Sequence, residues 1–276
     1  TLRRLKAPAR PGTIALFYLE KNSFTDLDLL LKTTTETKLL EFLNAPESVN
    51  NPFGEAVLVT RTPGYHVVNN DRVVQLSSGR LLAPAASTPD VQKNNHFVSR
   101  CFISDDAGTT WRPGKGEVDY AQRGAMEPEV FELNDGRVLM IVRTQLGHIA
   151  ASYSSDAGDT WSEAKSWNVK APEAPATLRR IPATGDLLLV WNNTFEAGAG
   201  HGGKRTPLTA AISSDEGESW THVRNLEADP DRTYSYTSLT FVENRAVMSY
   251  WESGPGAGQL SSKFRSLPVS WFYSGE

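Results

Sequence analysis

Five residues of this sequence have the types and spacing to act together. Glu127 and Arg143 lie eight residues to either side of Asp135, the head of an Asp-Gly turn. An antiparallel pair of strands around that turn sets them opposite each other. The same count around Asn244 pairs Tyr236 with Glu252, and Arg205 lies eight residues ahead of Ser213. A glutamate accepts a proton, and a tyrosine beside such a base offers an activatable oxygen. Two arginines grip a carboxylate in a planar, bidentate way that lysine does not reproduce. Blander readings fit each residue alone. Glu127 and Arg143 make an ordinary cross-strand ion pair worth under about 1 kcal/mol. Tyr236 suits an inner-strand core position with its hydroxyl satisfied. Arg205 follows the stretch Gly198-Ala199-Gly200-His201-Gly202-Gly203-Lys204, which lacks the Walker pattern and implies no phosphate site.

The elements that position these residues are legible as a repeat. Ser104-Asp105-Asp106-Ala107-Gly108-Thr109-Thr110-Trp111 matches Ser154-Ser155-Asp156-Ala157-Gly158-Asp159-Thr160-Trp161 and Ser213-Ser214-Asp215-Glu216-Gly217-Glu218-Ser219-Trp220, with an eroded fourth copy at Thr33 to Leu40. The pattern S-x-D-x-G-x-[TS]-W is hairpin chemistry: Ser and Asp bond nearby backbone N–H groups, Gly supplies positive φ, and Trp packs down. It predicts a structural staple and no catalysis. Between the copies recurs a strand, a Gly- or Asn-centred turn and a second strand, as in Val130 to Leu133, Asp135-Gly136 and Val138 to Val142. Each repeat is then a four-stranded antiparallel unit, and radial stacking of such units makes a β-propeller. In such a blade the start of strand one, the end of strand two and the start of strand three share one mouth, the default ligand site. All five residues reach it.

The three boxes resemble the Asp boxes of sialidases (neuraminidases) and of sialidase-like BNR-repeat proteins. Met126-Glu127-Pro128-Glu129 through Asp135-Gly136 to Val142-Arg143 is similar to the family's Glu-to-Arg spacing. Lys204-Arg205-Thr206-Pro207 looks like its clustered arginine ahead of a box. Tyr236-Thr237-Ser238-Leu239 with Ser249-Tyr250-Trp251-Glu252 resembles its Tyr-Ser-x-Leu segment and following strand. The resemblance implies an all-β, six-bladed propeller in a single domain over 1–276. Five hairpin units are countable, at 12–44, 66–111, 127–161, 173–220 and 236–272. With the Met-less start at Thr1, that count predicts that the N-terminal blade is missing.

The resemblance further implies a retaining exo-glycosidase for terminal sialic acid or a related acidic sugar. Tyr236 would be the nucleophile, because a neutral phenol avoids the repulsion that a carboxylate would meet beside the sugar's own carboxylate. Glu127 would be its base, Arg143 and Arg205 the carboxylate clamp, and Glu252 would orient an arginine. The family's first arginine, in an Arg-Ile-Pro context, and its Asp acid have no match; Asp26 and Asp90, in loops after second strands, are the candidate acids. Asp71 and Arg72, in the unusually polar run Tyr65 to Arg72, are candidate substrate-binding residues. That run also keeps open an enzyme for uronate-containing polysaccharide, and the missing arginine and acid keep open a non-catalytic glycan-binding propeller.

Composition excludes other classes. With 28 basic and 32 acidic residues the net charge is only −4, which excludes a basic nucleic-acid binder. No apolar run approaches the roughly 18 residues of a membrane span, so the sequence predicts a soluble protein, secreted or periplasmic by the resemblance. Cys101 is the single cysteine, which rules out an internal disulfide. The five histidines show no metal-ligand spacing, and no cofactor or metal is expected. Asn192-Asn193-Thr194 matches a glycosylation sequon.

Overall fold

The computed structural model describes residues 57–254 and 260–274. The predicted first unit (12–44), the eroded box at Thr33 to Leu40, and Asp26 lie outside them. The chain forms two compact units, one of residues 1–59 with Ser104–Trp111 and one of Thr60–Ile103 with Arg112–Glu276.

Four antiparallel sheets follow one another along the chain. The first holds β1 (Tyr65–Val67), β2 (Val74–Gln75), β3 (Leu81–Thr88), β4 (Val98–Ser104) and β5 (Arg112–Pro113). The second holds β6 (Met126–Glu132), β7 (Val138–Arg143), β8 (His148–Ser154) and β9 (Lys165–Lys170). The third holds β10 (Thr177–Arg180), β11 (Leu187–Asn192), β12 (Leu208–Ser213) and β13 (Thr221–Glu227). The fourth holds β14 (Thr233–Val242), β15 (Arg245–Ser253) and β16 (Leu260–Pro268), closed by a 3₁₀ turn at Val269–Phe272. Each strand pairs with its sequence neighbour, except that β1 and β2 both pair with β3, and this is the meander of a propeller blade. Among the described residues there is no α-helix, and no helix long and apolar enough to cross a membrane. The fourth sheet shows three strands where four were expected.

The second strands explain why the sheets stack. Side chains alternate between the two faces of a strand, and β7 and β11 are buried at every position. Val138, Met140 and Val142 pack with Leu82, Cys101 and Ile103 of the first sheet. Leu139 and Ile141 pack with Leu178, Leu187 and Leu189 of the third. Leu188 and Val190 turn the other way, to Leu239, Met248 and Tyr250 of the fourth. Continuous apolar runs are what strands covered on both faces require. Cys101 belongs to this packing, and burial pushes its thiol pKa up.

The repeated turns staple neighbouring sheets. In the second copy, the Ser154 hydroxyl donates to Asp156 Oδ1 at 2.7 Å, and Asp156 accepts from the Thr160 N–H at 2.8 Å and its hydroxyl at 2.6 Å. The third copy repeats this with Ser213, Asp215 and Ser219. Gly158 and Gly217 sit at φ +88° and +91°, and a Cβ there would come within 2.9 Å of Leu82 and 2.6 Å of Trp167, both in the preceding sheet. The box therefore needs glycine for conformation and for close approach.

The polar run before β2 has a specific place. The inner strand of the first sheet is broken: β1 pairs with Ala86–Thr88 and β2 with Leu81–Leu82, leaving residues 68–73 outside the ladder. Out of this gap Arg72, only 1% exposed, donates to Glu129 Oε2 at 2.7 Å and to the Ala176 carbonyl at 2.9 Å. Arg179 pairs with the other oxygen of Glu129 and with Asp71 Oδ2, the latter at 2.8 Å. Asp71 accepts the Leu239 N–H at 3.2 Å, and Thr177 donates to the Thr237 carbonyl at 2.7 Å. The inner strands of all four sheets meet in this network.

Two outcomes follow for stability. Glu129→Ala leaves Arg72 and Arg179 without their shared anion, so chemical denaturation should show a loss of about 3–5 kcal/mol. The Ser219 hydroxyl and N–H hold the Asp215 pKa down to about 2. A depressed carboxylate stabilises above its unfolded value near 4, and that stability is lost as pH falls through its folded value. Melting curves of Asp215→Asn should therefore depend less on pH between about 4 and 2 than those of the parent.

Candidate active site

Two matching irregularities build the site. In the second sheet Met126 faces Arg143 and Glu129 faces Ile141, so Glu127 and Pro128 oppose Val142 alone. In the fourth, Ser235 faces Trp251 and Ser238 faces Ser249, so Tyr236 and Thr237 oppose Tyr250 alone. Each is a one-residue β-bulge. The first bulged residue has positive φ in both, +42° for Glu127 and +59° for Tyr236. Left-handed backbone in a non-glycine residue costs on the order of 1–3 kcal/mol and clusters at functional sites. The bulges also correct the count from the turns: Met126, not Glu127, stands opposite Arg143, and Tyr234, not Tyr236, opposite Glu252.

The side chains of the bulges meet. The Tyr236 hydroxyl donates to Glu127 Oε1 at 2.9 Å, and Arg143 donates to Glu127 Oε2 at 2.5 Å. Arg143 ends β7, and burial opposes its charge while Glu127, Tyr236 and Glu173 outweigh burial and raise its pKa. Arg205 comes from the loop before β12, is 9% exposed, and donates to Ser235 Oγ at 3.2 Å and to the Glu173 carbonyl at 3.1 Å. Its guanidinium lies 5.7 Å from the centre of the Tyr236 ring. Among the described residues no carboxylate pairs with it, and burial followed by the charge of Arg143 lowers its pKa. Burial, then the charge of Glu127, raises the Tyr236 pKa, so the phenol is a donor at neutral pH. On its far side the ring lies 4.6 Å from Trp251.

The other predicted residues lie elsewhere. Asp71 and Arg72 belong to the buried network of Glu129 and Arg179. Glu252 does orient an arginine, but this is Arg232, at 2.5 Å, together with Lys263 at 3.1 Å, and neither Arg143 nor Arg205. Asp90 sits on a loop, bonded to the Gln92 N–H at 3.0 Å and to Lys93 at 3.1 Å. Asn192 of the sequon is buried and donates to the carbonyls of Arg205 and Tyr234 at 2.8 and 3.0 Å, which hides its amide nitrogen from modification. Among the described residues no group of His, Cys, Asp and Glu is arranged to hold a metal ion.

Three residues were not singled out beforehand. Glu173, buried ahead of β10, accepts from Arg123 and, at 3.2 Å, from Arg143. His201, in the glycine-rich loop, accepts from Arg143 at 2.6 Å through Nδ1. Burial, then the charges of Arg143 and Arg205, lowers its pKa, which suits a neutral acceptor. Asn70 bonds the Tyr236 carbonyl at 2.7 Å and braces the bulge. Glu173 stands just before the inner strand β10, as Glu127 stands at the start of β6, and that placement was readable from the sequence.

Stacked antiparallel meanders, stapled by repeated Ser/Asp/Gly turns and presenting a Tyr–Glu–Arg constellation on inner bulges, define a propeller-like protein of the sialidase-like BNR-repeat type. The chain belongs to the family of BNR repeat-like domains, whose family model matches residues 7–248. It is 25% identical over 234 residues to a sialidase of Bacteroides fragilis (strain YCH46), covering 82% of this chain and 39% of that protein. Two solved structures share the fold. The leech intramolecular trans-sialidase has a TM-score of 0.56 at 20% identity, over 75% of this chain and 32% of its own. The intramolecular trans-sialidase of Ruminococcus gnavus has a TM-score of 0.55 at 20% identity, over 77% and 44%. The chain thus spans less than half the length of these relatives.

The geometry fixes the sign of one measurable coupling. Removing the Glu127 charge should lower the Tyr236 pKa, because that charge opposes the phenolate. In Glu127→Gln, the tyrosine absorbance titration should gain a group ionising at lower pH than in the parent, and this group should vanish on adding Tyr236→Phe.

Proposed function

We propose that this protein is a retaining exo-sialidase, a glycosidase that releases terminal sialic acid or a related acidic sugar from glycans. The observation that carries this reading is the Tyr236 hydroxyl donating to Glu127 Oε1 at 2.9 Å beside Arg205, a buried arginine that has no carboxylate partner among the described residues. The substrate carboxylate binds Arg205 and Arg143. Tyr236 Oη attacks the anomeric carbon while its proton passes to Glu127, and the bond to the leaving oxygen breaks. Water then releases the sugar from tyrosine, with Glu127 returning the proton. The phenol's raised pKa makes the base necessary, and its neutrality lets it approach an anionic sugar. The leaving oxygen takes its proton from another acid. Asp90 and Asp26 are the candidate acids.

The reading includes a six-bladed ring, a secreted or periplasmic location and a glycan as the partner. It gains support from the sialidases among the chain's relatives.

With a fluorogenic α-sialoside, Tyr236→Phe and Glu127→Gln should each lower kcat by a factor on the order of 10²–10⁴, while Arg205→Lys should chiefly raise KM through loss of bidentate contact. Unchanged turnover in Tyr236→Phe would overturn the mechanism. Uronic acid products from a glycan panel would select the polysaccharide-active reading, and sialoglycan binding without turnover the non-catalytic one.

A further inference from the structure

The glycine-rich loop between β11 and β12, residues 193–207, puts one side chain on the clamp. His201 stands in a 3₁₀ turn at Gly200–Gly202, and its Nδ1 lies 2.6 Å from Nη2 of Arg143. An arginine only donates, so Nδ1 accepts and the imidazole is the neutral tautomer with its proton on Nε2. The other hydrogen of Nη2 goes to Glu173 Oε1 at 3.2 Å, Nη1 donates to Glu127 Oε2 at 2.5 Å, and Nε is buried. A carboxylate gripped end-on takes one hydrogen from each terminal nitrogen. Both hydrogens of Nη2 are engaged, so such an anion must displace Glu173 or His201. Glu173 is fixed, for its side chain is 1% exposed and also holds Arg123. The His201 side chain is 66% exposed, and Gly198 and Gly200 ahead of it have φ of +81° and +54°, backbone that glycine reaches without strain.

We propose that His201 is a latch on the carboxylate clamp: its neutral imidazole keeps the place of the substrate carboxylate on Arg143 and yields it when an anion arrives or when Nδ1 takes a proton. This rests on the sialidase reading for its ligand, a monoanionic sugar bound at Arg143. Protonation turns the acceptor into a donor facing Arg143, and Arg205 and Arg123 add to the repulsion, against the carboxylate of Glu173 at 3.9 Å. Glu127, bonded to Tyr236, shares Arg143 with it, and Glu196 and Lys204 are the loop's other charged groups. Burial, then Arg143 and Arg205, hold the His201 pKa below the ordinary 6.5. A histidine so lowered keeps its neutral contact above the ordinary value and loses it as pH falls through the lowered one. The latch is therefore closed at neutral pH and released in acid, where the imidazolium adds a positive charge to the mouth. Anion binding and protonation favour the same open state, so each promotes the other.

Two substitutions at this exposed position drive the latch in opposite directions. His201→Ala removes the acceptor and leaves the clamp open at any pH. His201→Gln keeps an amide oxygen for Arg143 but does not titrate, and leaves the clamp closed. Calorimetry of the full chain with free sialic acid and with glucuronic acid, at pH about 7.5 and about 5, brackets the ordinary histidine value. The parent should bind sialic acid about tenfold more tightly at the lower pH. His201→Ala should bind it about tenfold more tightly than the parent at the higher pH and vary little between the two, while His201→Gln should stay weak at both. A His201→Ala protein that binds sialic acid no more tightly than the parent at the higher pH overturns the latch and leaves the sialidase reading standing. The expected pattern with glucuronic acid alone upholds the latch and overturns that reading, and no binding of either sugar overturns both.

Discussion

Glu129 is the anion on which the arrangement of inner strands depends. It holds Arg72 at 2.7 Å through Oε2 and Arg179 through Oε1, and it accepts the Leu178 N–H at 3.1 Å. These partners come from the first and third sheets, and through Asp71 and Thr177 the network continues to the fourth. Charges taken out of water are tolerated only when paired and hydrogen-bonded. Apolar faces between sheets stack them without fixing their relative height; directional bonds around a shared carboxylate do fix it. Any shift of β6 relative to β10 would separate Glu129 from Arg179 and leave both buried without their partner.

That constraint bears on the candidate site because Glu127 and Glu129 lie on the same strand. Regular alternation would place both on one face, in one network. The bulge at Glu127-Pro128 breaks the alternation, so Glu129 serves the hub and Glu127 serves Tyr236 and Arg143. The fourth sheet uses the same device at Tyr236. A rigid hub beneath two strained bulges is a physical route to preorganisation: the surrounding network sustains the left-handed backbone, and the Tyr–Glu bond is in place before any ligand arrives.

The continuous apolar runs of β7 and β11 and the three boxes were legible in the sequence because their causes are local: burial on both faces, and hydrogen bonds within eight residues. The clustering of Glu127, Arg143, Arg205 and Tyr236 was legible for the same reason, since blade geometry sends their ends to one mouth. Register was not. Pro128 is a residue that strands accept at bulges, but a count from the turn passes over it, and the Glu243-Asn244 turn, which sets Val242 against Arg245, added a further residue of error to the Tyr236 count. Asp71 and Arg72 were misleading because a polar run looks the same whether it faces a ligand or satisfies a buried hub. Glu252 could not be assigned from spacing, because Arg232 and Lys263 compete for it across chain distances that no local count covers.

The charges around the mouth bear on what it can bind. Among the described residues bonded to one another there, Arg123, Arg143 and Arg205 bring three positive charges and Glu127 and Glu173 two negative ones, an excess of one positive charge. Its effect is visible at Arg205 and His201, whose protonated forms are disfavoured by burial and then by neighbouring arginines. A single bound carboxylate would cancel that excess. A neutral ligand would leave it standing, and a dianion would overshoot it. A carboxylate in the place of Tyr236 would use up that excess. A neutral phenol leaves it standing, so the uncharged Tyr236 hydroxyl and the surplus positive charge are features of one charge balance.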